Sequence, residues 1–186
     1  SRTKLNSNLP TVAVHEVAIH PTAGEIVAAT HGRSLWVLDV AALRQISAES
    51  IAEPAKLYKP QPAVKWRSQP RRGSAGTRQF AGQNPPNGAK ISYSLARDAR
   101  AVIVNVTDIE GRVIREIEGD PKAGLHIVTW DLRQVRPTRT AAGSTQQRSQ
   151  RTRRGGTVPA GKYLVTLIVD EEEFKTVLTV EDDPDA

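Results

Sequence analysis

Lys162–Val169 (KYLVTLIV) and Glu173–Val180 (EFKTVLTV) are the two runs whose reading decides the fold. Both are rich in β-branched and aromatic residues, the composition that suits a pleated, half-buried surface. Glu171-Glu172 reads as the tight turn between them, so the pair predicts an antiparallel hairpin. Asp170 and the glutamates also cluster carboxylate oxygens, which hard cations favour, but the spacing of a calcium loop is missing. A solvated acidic turn is the better reading.

The same pattern extends outward. Pro159-Ala160-Gly161 is a turn ahead of the first run. Further back lie Gly124–Leu132 (GLHIVTWDL), Arg112–Glu118 (RVIREIE), Ala101–Asp108 (AVIVNVTD) and Lys90–Leu95 (KISYSL), with a turn at Glu110-Gly111. Six short strands separated by regular turns predict a small antiparallel β-sandwich of the immunoglobulin-like or fibronectin-III-like kind. Trp130 is expected in its core. Tyr163 opens the penultimate strand, where such sandwiches carry a corner tyrosine. Asp131 is expected to make a turn hydrogen bond, and Gly161 to serve the turn.

The N-terminal third has its own pattern. Val14–His20 (VHEVAIH), Glu25–Thr30 (EIVAAT) and Ser34–Val40 (SLWVLDV) are separated by Pro21-Thr22-Ala23-Gly24 and by His31-Gly32-Arg33. They predict a three-stranded meander that carries Trp36 as a structural residue. Three strands are too few to bury both faces of a sheet. Residues 41–60 change character. Short helical turns are expected at Ala41–Gln45 and Ser47–Ala52, and then a polar, basic connector with Trp66 and Phe80 as anchors. The whole chain therefore reads as all-β: residues 1–42 a meander, 43–88 a connector, and 89–182 a sandwich. A basic, low-complexity insert at 134–157, expected to be disordered, interrupts the sandwich.

Charge is unevenly placed. The chain has 186 residues, 38% hydrophobic residues and a formal net charge of +6. Residues 54–97 hold nine Lys/Arg and 132–169 hold eight, both without Asp or Glu, whereas the last 17 residues hold eight acids and one Lys. That asymmetry raises a nucleic-acid reading. Stacking modules interleave aromatics with basic residues, however, and Arg136–Arg154 (RPTRTAAGSTQQRSQRTRR) has none. No nucleic-acid partner is expected. No apolar run is long enough to span a membrane. With no Cys in the chain, thiolate metal sites and Cys nucleophiles are excluded.

Candidate chemistry is sparse. His15 and His20 lie five apart on one strand and so face opposite ways, which argues against a shared metal. No metal and no cofactor are expected. Asp39 and Asp131 are the carboxylates to weigh as a glycosidase-type pair, but they fall in different domains and suit turn roles. No catalytic residue is assigned. The loop His31-Gly32-Arg33-Ser34 is the candidate ligand-binding site, because Arg33 could hold a carboxylate or phosphate in a bidentate grip.

Two stretches resemble known families. Residues 9–39 (LPTVAVHEVAIHPTAGEIVAATHGRSLWVLD) look like the last blade of sortilin-like, BNR-type bacterial β-propellers. No Asp-box repeat occurs in them, which departs from one propeller subtype. Residues 84–182, with IEGRVIREI, AGLHIVTWDLR and VPAGKYLVTLIVDEEEFKTVLTV, resemble the Ig-like domain that follows such propellers. They also resemble the Ig-like domain of flagellar hook-capping (FlgD-like) proteins. The resemblance implies a partial, final blade whose partners are upstream blades that this chain lacks, with its start at Ser1 marking a piece of something larger. It further implies a periplasmic, cell-surface or secreted location. The function it implies is a non-catalytic structural module or one that binds protein or glycan. The alternative is an accessory region of a sialidase-like glycoside hydrolase with its catalytic residues upstream.

Overall fold

A computed structural model describes residue 9 and residues 11–32, 34–67, 86–135 and 154–184. The described residues are all-β apart from two short helices, and the chain divides into two compact units, Ser1–Ala48 and Glu49–Ala186.

The first unit is a three-stranded antiparallel meander of β1 (Val14–Ile19), β2 (Glu25–Thr30) and β3 (Leu35–Asp39), in the order β1-β2-β3. Turn chemistry sets its register. At the β1–β2 turn, His20 Nδ1 accepts from the backbone N–H of Ala23 at 3.0 Å, and Gly24 takes φ +65°. A side chain at Gly24 would press on Ala41, so glycine suits this position twice over. Asp39 Oδ1 accepts from Ala41 N at 3.0 Å and closes the end of β3, the role of a turn carboxylate.

A 3-10 turn (Leu43–Gln45) and helix α1 (Ala48–Ala52) follow. The expected connector then gives way to sandwich. β4 (Ala55–Leu57) pairs with β6 (Ala89–Leu95), and β5 (Ala63–Lys65) pairs in parallel with β13 (Glu172–Asp182). This corrects the boundary drawn at residue 88 and adds one parallel pair to an otherwise antiparallel sandwich. Trp66 lies one residue beyond β5 and is 61% exposed, so it does not anchor the segment. Phe80 lies outside the described residues.

The sandwich has a five-stranded sheet, β5-β13-β12-β7-β8, and a three-stranded sheet, β4-β6-β9. Here β7 is Val102–Thr107, β8 Val113–Glu118, β9 Gly124–Trp130 and β12 Gly161–Val169. The hairpin β12–β13 pairs without a break from Gly161↔Val180 to Val169↔Glu172. Alternation fills the core. Ile91, Tyr93 and Leu95 from β6 join Val102, Val104 and Val106 from β7, Val165 and Leu167 from β12, and Leu178 and Val180 from β13. Trp130 is fully buried among them.

The expected disordered insert is bounded by strands. β10 (Arg133–Val135) and β11 (Arg154–Thr157) pair with each other, so both ends of the 134–157 segment are ordered. Residues 136–153 lie outside the described residues.

Candidate functional site

The His31 loop is built from its backbone. Gly32 and Ser34 both adopt left-handed conformations, each at φ 70°, an unusual state for a serine. The Ser34 carbonyl accepts from Thr30 N at 3.3 Å and from the Thr30 hydroxyl at 2.7 Å. These bonds hold the loop tight while the Ser34 side chain remains exposed. Arg33, the residue on which the anion-binding reading of this loop turns, lies outside the described residues.

The structure brings a second histidine to this loop. β1 and β2 pair Val14↔Thr30 and then Glu16↔Ala29, so His15 is the extra residue of a β-bulge. Bulges re-aim side chains. Here His15 turns toward His31, whose backbone N–H donates to the Ala13 carbonyl at 2.9 Å. His15 Nε2 and His31 Nδ1 stand 3.0 Å apart, with ring centroids separated by 5.1 Å and tilted by 45°. The other histidines have structural work. His20 closes its turn. His126 stacks on Tyr93 and its Nε2 lies 2.6 Å from the Lys122 carbonyl. Sequence reasoning compared histidines along one strand and so missed a pair made across two strands. The bulge leaves no signature in the residue alternation.

The meander also presents two apolar faces. Register places Val17, Ala28 and Trp36 in one cross-strand row, and Ile19, Ile26 and Leu38 in the next row of that face. Ala18, Val27 and Val37 share the opposite face, which also carries Ala29 and Leu35. Trp36 is half-buried. Val17, Ile19, Leu35 and Val37 are each between 58% and 65% exposed.

The remaining residues sit in the sandwich. Trp130 Nε1 donates to the Arg133 carbonyl at 3.0 Å, and Asp131 Oδ1 accepts from Arg133 N at 3.2 Å. Tyr163 donates its hydroxyl to the Pro159 carbonyl at 2.8 Å. Gly161 starts β12 at φ +155°. Asp170, read as part of a solvated turn, holds a tie as well. Its Oδ1 accepts from Arg100 N at 2.8 Å and from Ala101 N at 3.1 Å. The Ala101 and Arg100 amides hold its carboxyl below the ordinary aspartate range. Among the described residues no group of three or more His, Cys, Asp or Glu is placed to hold a metal ion. No helix among them is long and apolar enough to cross a membrane.

Fold and loop geometry together describe an all-β chain of a partial blade and an immunoglobulin-like sandwich. No family model matches it. The chain is 37% identical over 75 residues to the basal-body rod modification protein FlgD of Salmonella typhimurium, and equally to that of Salmonella typhi. The match covers 37% of this chain and 32% of the relative, so the chain spans about a third of the length of the curated relatives it matches. This supports the FlgD-like part of the resemblance. Among solved structures, PorZ, an essential surface component of the type-IX secretion system of Porphyromonas gingivalis, aligns with 90% of this chain and 16% of its own. That alignment has a TM-score of 0.34 at 16% identity, too slight a likeness to carry an argument.

Proposed function

We propose that the chain is a non-catalytic module of an extracytoplasmic β-propeller protein. Its meander is a blade seated between other sheets, and its sandwich plays a structural or a protein- or glycan-binding role. One observation carries this reading: a three-stranded sheet with apolar residues on both faces. A sheet that packs on one side only alternates apolar and polar residues. Here Val17 and Ile19 are exposed on one face, and Leu35 and Val37 on the other. Covering these four side chains would contribute on the order of 5 kcal/mol, comparable to the whole stability of a small domain. A blade between two neighbours in a propeller is covered on both sides. Similarity to FlgD supports an exported location by analogy alone.

Hydrogen exchange on the 186-residue chain tests the proposal. Amides of residues 14–39 should exchange through low-energy opening, while those of β7, β12 and β13 approach the global unfolding limit. Equal protection of both units in a monomeric chain would overturn it.

A further inference from the structure

The geometry points to a two-imidazole site for a divalent transition-metal ion, formed by His15 and His31, with Cu(II) or Ni(II) preferred over Zn(II). The inference is independent of the blade reading, because it rests on the bulge and on the distance between two ring nitrogens. Both rings are exposed at the rim of the meander, so an ion can reach them from solvent.

Two neutral imidazoles 3.0 Å apart at their facing nitrogens share a hydrogen bond, one ring donating and the other accepting. A metal ion can take the place of that hydrogen bond, seated off the line between the two nitrogens, with both rings turning to aim their lone pairs at it. The donor ring moves its proton to its far nitrogen, both facing lone pairs become free, and two metal–nitrogen bonds form as two waters leave the ion. No net proton is lost and no oxidant is needed.

Ion preference follows from the spacing. With metal–nitrogen bonds of roughly 2.0–2.1 Å, facing nitrogens 3.0 Å apart subtend about 94° at the ion. That angle suits two cis positions of square-planar or tetragonal coordination, the geometry of Cu(II) and Ni(II). Affinity of a nitrogen site also rises through Ni(II) to Cu(II). The chain has no cysteine to compete for the ion. With two imidazoles supplied by the chain, water would fill further positions and leave the ion exchangeable.

The test uses the 186-residue chain, Cu(II), Ni(II) and Zn(II) salts, calorimetry, and the ring-proton resonances of the four histidines. One equivalent of metal should bind, Cu(II) most tightly, and substoichiometric Cu(II) should broaden His15 and His31 together before His20 or His126. His15→Ala and His31→Ala should each lower Cu(II) affinity by about tenfold or more, since losing even an outer-shell partner costs about 10–100-fold. His20→Asn should not change it. His15→Gln, which keeps a side chain of similar length in the bulge, should lose affinity as His15→Ala does; this separates lost ligation from a lost bulge. Uniform broadening of all four histidines, full affinity in either alanine variant, or a preference for Zn(II) would each overturn the assignment.

Discussion

Tyr163 meets Trp130 edge-on, with ring centroids 5.4 Å apart and planes inclined by 68°, while its hydroxyl donates to the Pro159 carbonyl at 2.8 Å. One side chain therefore fixes the entry to β12 and covers the central core residue. Tyr163→Phe keeps the ring contact and removes the hydrogen bond, so it should cost about 1 kcal/mol. Trp130→Ala opens a cavity and also leaves the Arg133 carbonyl without its indole partner, and should cost roughly 3–5 kcal/mol. Urea unfolding of the sandwich measures both. A Tyr163→Phe variant as damaged as Trp130→Ala would contradict this division of labour.

Gly88 and Gly161 make a matched pair for a backbone test. Both have positive φ, +136° and +155°. A Cβ at Gly88 would sit well inside the Trp130 carbonyl, whereas one at Gly161 would meet nothing within 4 Å. Gly88→Ala should cost about 3 kcal/mol or more, because conformational strain and a backbone collision add. Gly161→Ala carries conformational strain alone, roughly 1 kcal/mol or more. Denaturant midpoints of the two variants should differ in that order.

Acid should loosen two loop ties. The Ala101 and Arg100 amides lower the pKa of Asp170, and the Ala123 amide with the Lys122 ammonium lowers that of Asp98. A group whose folded pKa is depressed adds stability above its unfolded pKa and loses it as pH falls through the folded value. Sandwich stability should therefore hold at neutral pH and decline below the ordinary aspartate value of about 3.9. Asp170→Asn and Asp98→Asn should each flatten that decline. Both carboxylates are exposed, so salt should weaken the Lys122 contribution to Asp98 and leave the amide-held Asp170 less affected. An unaltered acid slope in both variants would refute the assignment.

The two faces of the meander can be tested separately. Val17→Lys alters one face and Val37→Lys the other. Neither residue belongs to the sandwich core, so sandwich stability should change by less than about 0.5 kcal/mol. Each variant should bind less of a hydrophobic dye than the unaltered chain and self-associate less on light scattering, since exposed apolar patches drive both. Dye binding unchanged in both variants would show that these faces are not the exposed apolar surface.

Much of the fold was legible in the residues because strand periodicity is a local signal. The runs at 162–180, 101–118 and 124–132 alternate strongly enough to be placed within a residue or two of β12–β13, β7–β8 and β9. The short strands were not legible. Ala55–Leu57 and Ala63–Lys65 are three residues each, flanked by prolines, and they are strands because β6 and β13 offer open edges to pair with. Arg154–Thr157 has two glycines and little β-propensity, yet a Cβ at Gly155 would run into the Gln134 carbonyl, so the β10–β11 ladder uses glycine at that point.

The candidate site divides along the same line. His31, Gly32 and Ser34 stand out as a turn between two apolar runs, and that much is local. The partner of His31 depends on where β1 inserts its extra residue, a matter of register between strands. By itself the sequence determined the all-β character, the main hairpins and a meander with too few strands to cover itself, since each follows from side-chain period and turn chemistry over a few residues. Only the tertiary structure decided the parallel strand at Ala63–Lys65, the ordered ends of the basic insert, the tie from Asp170 to the 100–101 loop and the meeting of His15 with His31. Each of these joins residues distant in the chain, and pairing at a sheet edge or across a bulge is set by the neighbouring strand.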